Sequence, residues 1–255
     1  MTNELETGIR ELGRQLLEWR SAGLTAYRTE GTQFKAEADQ RAHDALVTCL
    51  HRTSPGTPIV SEEDAASLAG DPAFPYWLVD PIDGTASYVQ GFAGFVVQLA
   101  LMDVAGPLEA YVYAPATDEM FTAARGGGAW LNGRRLRLES TAPRVLTDNY
   151  PEPRGVAADA MAALGLTEYV ESGSIGLKIC RVAEGRADLF VKDVLVRDWD
   201  VAPGELIVAE AGGRLSTLEG ASFSWGGERR HIGLAVSSSA ELHRRVVAWG
   251  STLRR

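Results

Sequence analysis

Apolar residues recur along the first part of the chain at the spacing of a helix. Leu5, Ile9, Leu12, Leu16 and Trp19 share one face, Asn3 and Glu6 are placed to cap its start, and Gly23 to end it. A second stripe, Ala42, Leu46, Cys49 and Leu50, predicts a helix from Asp39. The pattern then changes to short continuous apolar runs. Pro58-Ile59-Val60 and Trp77-Leu78-Val79 each read as a buried strand. The run Phe95 to Met102 is followed by Ala110 to Tyr113, Glu119 to Ala124 and Leu136 to Leu138, a succession that predicts a meander. Pro143 and the polar stretch Thr147 to Gly155 mark a boundary. It divides an N-terminal α+β half, residues 1–142, from a C-terminal α/β half, 143–255.

Two of the short strands end in acids. The first runs into Ser61-Glu62-Glu63-Asp64, the second into Asp80-Pro81-Ile82-Asp83-Gly84-Thr85. Pro81 lacks an N–H and has a fixed φ, so the strand cannot continue as a regular ladder, and Asp80 and Asp83 can turn toward one point. Ile82 can add a backbone carbonyl. Gly84 and Thr85 would open the next element with N–H groups suited to an oxyanion. A third acid, Asp200, follows Trp199 near the predicted start of a helix. Taken alone, each segment also fits an acidic turn or an N-cap. Hard oxygen donors without His or Cys nearby favour Mg²⁺ or Mn²⁺.

These segments, in this order, resemble the inositol monophosphatase family, whose superfamily includes bisphosphate nucleotidases, histidinol-phosphate phosphatases and fructose bisphosphatases. The resemblance rests on Glu62-Glu63, the DPIDGT string from Asp80 to Thr85, Trp199-Asp200 and Glu210-Ala211-Gly212-Gly213. Gly185 to Asp188 and the Asn132-Gly133 turn also fit the order. It implies an α+β, layered αβαβα sandwich, and a Mg²⁺-dependent phosphomonoesterase using two or three ions, with Mn²⁺ a substitute. Glu62, Asp80 and the Ile82 carbonyl would hold one ion, and Asp80, Asp83 and Asp200 a second about 3.5–4 Å away. Glu63 would help a third. Thr85, paired to Asp39, would help deprotonate the attacking water, and Gly84 and Thr85 would bind the phosphate. One position departs from the family's Val-Thr-x-x-Asp pattern: Ala36 stands where a Thr is usual. A homodimer is also implied.

The segment Gly173 to Lys178 is similar to the part of bisphosphate nucleotidases that lines the substrate pocket. On that likeness Ser174 and Lys178 become substrate contacts, Lys178 holding a second anionic group. A solvated lysine on the helix that starts there is the other reading. The substrate is accordingly a small phosphate monoester of a nucleotide or polyol, with histidinol phosphate as an alternative. A metal- or metabolite-binding protein without turnover is the non-enzymatic one.

Composition narrows the picture further. A net charge of −9 over 255 residues disfavours nucleic acid and anionic membranes as partners. No apolar run reaches the roughly 18 residues of a membrane span, and the acidic N-terminus lacks a signal-peptide pattern, so a cytoplasmic protein is expected. Cys49 and Cys180 sit in apolar runs as buried thiols. The four histidines have no shared spacing and no assigned chemistry. Gly126-Gly127-Gly128 lacks the Lys-Ser/Thr ending of a phosphate loop and reads as a hairpin turn. Trp199 reads as a packing residue.

Overall fold

The computed structural model describes residues 4–23, 27–30, 33–139 and 142–253, with segments 27–30 and 33–36 as backbone only. Helix α1, Glu4–Ser21, buries Leu5, Ile9, Leu12 and Leu16. Asn3 lies outside the described residues. Strands β1, Tyr27–Glu30, and β2, Gln33–Ala36, form an antiparallel pair that leads into α2, Glu37–Thr53. Helix α2 begins two residues before the Asp39 start expected from the sequence, so Asp39 lies inside its first turn.

Seven strands follow in one sheet, in the order β3 to β9: Ile59–Ser61, Tyr76–Asp83, Val96–Asp103, Gly106–Ala114, Glu119–Ala124, Gly128–Leu131 and Arg134–Leu136. All neighbours are antiparallel except β3 and β4, which run parallel. The meander is present, its last strand ending at Leu136 rather than Leu138. The glycine run is the β7–β8 turn, and Asn132-Gly133, both at positive φ, close the β8–β9 hairpin.

The chain then enters a five-stranded sheet, ordered β11-β10-β12-β14-β13. Its strands are β10, Val145–Asp148; β11, Glu168–Glu171; β12, Leu189–Arg197; β13, Arg214–Ser216; and β14, Arg230–Ser237. Thr147 and Asp148, which sequence composition placed in a polar connection, are buried inside β10. Helices α4, Val156–Leu164, and α7, Ala240–Gly250, cover one face; α5, Ile175–Ala183, and α6, Asp198–Ala211, lie between the sheets.

The layers follow from alternation along the strands. Val97, Leu99, Tyr111 and Tyr113 point toward α1 and α2, while Val96, Ala110, Val112 and Phe121 point toward α5 and α6. Phe190, Val196, Leu234 and Val236 complete the central core from the second sheet. The result is a five-layer αβαβα sandwich. Being enclosed on both sides, α6 is apolar around most of its circumference, and Gly204 admits Ile179 of α5, whose Cγ2 would lie 2.8 Å from an added Cβ. No helix among the described residues is long and apolar enough to cross a membrane.

Candidate metal centre

Residues three apart on a regular strand face opposite sides, so Asp80 and Asp83 converge only because β4 is irregular. Asp80 pairs with Gln98 and Asp83 with Val96, which sets three steps on β4 against two on β5. That is a bulge of one residue, and it falls where Pro81 has no N–H to give the ladder. Ile82 N–H instead donates to Asp80 Oδ1 at 3.1 Å. Glu62 follows β3, whose parallel register sets Ser61 opposite Val79, one residue short of Asp80.

Asp200 comes from the other half of the molecule. It sits in the first turn of α6, where its Oδ2 accepts the Arg197 N–H at 2.7 Å. One carboxylate oxygen from each of Asp80, Asp83 and Asp200 lies within 4.8 Å of the others. Burial pushes the Asp80 and Asp200 carboxyls well above the usual range, with further upward pushes from Glu62 and from other carboxylates of the cluster. Burial likewise raises Asp83 to about 6, against the opposing effect of the Gly176 N–H donated to its Oδ2 at 2.6 Å.

This donor set fits a hard divalent cation: the close trio is all carboxylate, and its members repel one another in a desolvated site. Glu62 lies outside the 4.8 Å trio, yet its charge acts on all three members. Glu63 is half-buried one residue on, its N–H 3.4 Å from Ser61 Oγ.

Thr85 opens the short helix α3, Thr85–Val89. Its Oγ1 lies 3.0 Å from Asp39 Oδ1 and 3.2 Å from the Ile82 carbonyl, so its one proton serves one acceptor at a time. Asp39 is only 2% exposed. Gly84 is required twice over: its φ is 90°, and a Cβ there would come 2.8 Å from the Ser174 Cβ. The side chains of Lys35 and Ala36 lie outside the described residues.

The start of α5 docks directly onto this region. Ser174 caps the helix, its Oγ accepting from Leu177 N–H at 3.3 Å, while its own N–H donates to Gly94 O at 2.7 Å. Gly94 and Gly173 cross so closely that a Cβ on Gly173 would lie 1.8 Å from Gly94 O. Two contacts escaped the sequence reading: the Gly176 N–H on Asp83, and Gln98, whose Nε2 lies 3.4 Å from Asp80 Oδ2. Gln98 Oε1 is buried without a partner among the described residues.

Lys178 is not a solvated lysine. Its side chain is 3% exposed, with Nζ 3.5 Å from Asp148 Oδ1, 3.3 Å from Asn149 Oδ1 and 4.8 Å from the centre of the Phe190 ring. Lys192 approaches the same acid at 2.7 Å. Burial, then the neighbouring Lys192 charge, lowers the Lys178 pKa to about 8. The ammonium is already committed to Asp148.

The other motif residues have structural partners. Glu210 accepts the N–H groups of Gly126 and Gly128 at 2.7 and 2.8 Å, tying α6 to the glycine hairpin. Asp188 receives the N–H groups of Arg144 and Val145. Trp199 is buried against Leu78, Met102 and Ala202. His43, His231 and His243 bond to Ser61, to Asp198, and to Ser237 and Ser216 respectively; Cys49 and Cys180 are free and buried.

A bulged strand carrying paired aspartates beside a helix-borne third, held in a five-layer sandwich, is the arrangement of a metal-dependent phosphatase family. The model of the inositol monophosphatase family matches residues 5–249, and the chain belongs to that family. It is 36% identical over 192 residues to the Nus factor SuhB of Pasteurella multocida, covering 71% of each chain. To the inositol monophosphatase 2 of Solanum lycopersicum it is 35% identical over 200 residues, covering 73% of this chain and 76% of that one. The solved structure of a Thermotoga maritima IMPase superposes with a TM-score of 0.81 at 26% identity, covering 96% of this chain and 94% of the other.

Proposed function

We propose that the chain hydrolyses a small phosphate monoester, with Mg²⁺ held by Glu62, Asp80, the Ile82 carbonyl, Asp83 and Asp200. The observation that carries this reading is the bulge in β4, which aims two aspartates at a third from a distant helix and sets Thr85 beside Asp39. Family membership, with relatives named inositol monophosphatases, supports a phosphatase.

Bound there, Mg²⁺ supplies the positive charge that a phosphoryl group needs and lowers the pKa of a water. The protein's own groups do the rest. The Thr85 hydroxyl, able to pass its proton to Asp39, accepts a proton from the attacking water. The N–H groups of Gly84 and Thr85 face the phosphoryl oxygens, and Ser174 borders them from the start of α5. Glu63 assists a weaker cation site. Polyol and nucleoside monophosphates are the substrate class.

The test is phosphate release from inositol 1-phosphate, adenosine 2′-monophosphate and histidinol phosphate, with Mg²⁺ and with EDTA. Mg²⁺-dependent release is expected from at least one. A folded protein that releases no phosphate from any of them, with Mg²⁺ or Mn²⁺, overturns the reading.

A further inference from the structure

Two loops from opposite halves of the chain meet beside the carboxylate centre. The first follows β3 and carries Glu62 and Glu63. It folds back on itself: Ser67 Oγ donates to Asp64 O at 2.7 Å and accepts the Ser61 N–H at 3.0 Å, so residues 61–67 form a closed turn that runs straight into Leu68. Glu62 N–H on Val79 O, at 3.2 Å, fixes the near end of this segment to β4. The second loop lies just before β14 and reaches α6. Asp198, fully buried at the start of that helix, accepts the Gly226 N–H at 2.9 Å on Oδ2, and its Oδ1 lies 2.8 Å from His231 Nε2. Its own N–H is 3.4 Å from Arg229 O, two residues before Asp200.

Arg229 joins the two loops. Its side chain is 4% exposed, with Nη2 2.9 Å from Gly70 O and 3.5 Å from Asp71 Oδ1, and Nη1 3.5 Å from Leu68 O and 3.4 Å from Gly227 O. Asp71 in turn accepts the Gly227 N–H at 3.3 Å. Leu68 packs against the cluster that holds Trp199, the residue before Asp200. The placement of Arg229 is costly on two counts. A guanidinium leaves water to meet mainly backbone carbonyls, and a residue with a Cβ is held at φ 51°, in the left-handed region. Residues held in that way persist where the surrounding structure fixes them, and they gather at functional sites.

We propose that Arg229 and Asp198 clasp the Glu62 loop to the start of α6 and so set the spacing between Glu62 and Asp200, which makes Arg229 a positioning residue for the cation. The proposal rests on the ligand set proposed above. Mg²⁺ demands near-ideal octahedral geometry, whereas Ca²⁺ accepts irregular and larger oxygen cages. A loosened clasp therefore weakens Mg²⁺ selectively, which a general loss of stability does not do.

The test titrates metal-free protein with Mg²⁺ and with Ca²⁺ by calorimetry, without substrate. Arg229→Met is expected to raise the Mg²⁺ Kd about tenfold or more and the Ca²⁺ Kd by less than about threefold, the first being the usual scale for a partner behind the metal ligands. Arg229→Lys, which keeps the charge and reaches fewer carbonyls, recovers part of the Mg²⁺ affinity. In turnover assays the apparent KM for Mg²⁺ rises with the Kd, while kcat at saturating Mg²⁺ changes little. Asp71→Ala, at an exposed position, removes one contact of the clasp and raises the Mg²⁺ Kd to a smaller extent; it carries the test if Arg229→Met does not fold. Arg230→Ala, one residue on, leaves both Kd values unchanged.

Equal shifts for the two cations, no shift in Arg229→Met, or the same shift in Arg230→Ala overturns the clasp. If Arg229→Met does not fold, an unmoved Mg²⁺ Kd in Asp71→Ala overturns it instead. Mg²⁺-dependent phosphate release with an unmoved Mg²⁺ Kd removes the clasp and leaves the phosphatase reading. Arg229-dependent Mg²⁺ binding without release from any ester keeps the clasp and removes that reading, and a protein that binds no Mg²⁺ removes both.

Discussion

Asp83 combines the opposing demands of this centre. Burial lifts its pKa to about 6 in the folded chain, against the ordinary aspartate value of about 3.8 once the chain unfolds, so without a cation the folded state holds the proton more tightly. The ionised carboxylate therefore destabilises the fold, with nothing lost below the unfolded value and the full penalty reached as pH rises past 6. Asp83→Asn is expected to abolish phosphate release. In EDTA at pH 7.5 it should raise the Tm by several degrees, at about 2–4 °C for each kcal/mol in a chain of this size. The difference should fade as pH falls from 6 toward 4, and thermal melts of both proteins across that range check it. Thr85 allows a separate test of the proton path. Thr85→Ala should lower kcat by about 10²–10⁴ with a smaller effect on KM, while Thr85→Ser keeps most of the activity. Equal losses for both would mean the methyl group matters and the hydroxyl does not. These residues were legible in the sequence because each acid sits in a short local string. Gln98 and Gly176 were not, since only sheet register and the docking of α5 bring them to Asp80 and Asp83.

The elements that matter most are those whose ends meet the centre. Helix α5 reaches Asp83 only because Gly94 and Gly173 let two backbones touch. Gly173→Ala forces a Cβ to within 1.8 Å of Gly94 O, so the crossing must open. The expected cost is about 1–3 kcal/mol or more by urea denaturation, with a larger proportional loss of phosphate release as the Gly176 N–H leaves Asp83. Activity falling no further than the folded fraction would mean that α5 does not position the aspartate. Helix α6 is anchored differently, by Glu210 on the glycine hairpin. Glu210→Ala leaves the Gly126 and Gly128 N–H groups without their acceptor and should cost about 1–3 kcal/mol. Helical periodicity identified α1 and α2, whose burial is one-sided, and continuous apolar runs identified most of the meander, whose central strands are buried on both faces. The pattern left Lys178 open between a substrate contact and a solvated position, because whether a cation on a helix faces water depends on the partner layer. Here that layer supplies Asp148 and Phe190, from two strands of the second sheet.

At the scale of the molecule, the carboxylates join the two halves: Asp80 and Asp83 ride on the seven-stranded sheet, Asp200 on a helix packed between the sheets. Cation binding to the folded state alone then stabilises both sheets at once. Mg²⁺ at a hundred times its Kd should add about 2.7 kcal/mol, seen as a rise in Tm that EDTA reverses. The layered order was legible only through the family resemblance; the apolar pattern gave helices and a meander but not how they stack.

The distance along the chain between Asp83 and Asp200 also sets a clock. During synthesis the first sheet and its bulge can form while the second sheet has yet to emerge. At about 5–20 residues per second, several seconds separate the appearance of the first aspartates from that of the last. A nascent chain halted before Asp198 presents only part of its ligand set and should bind Mg²⁺ far more weakly than the released protein. With the proposed ligand set, metal loading should therefore come late in the life of the chain, after the ribosome has delivered the start of α6.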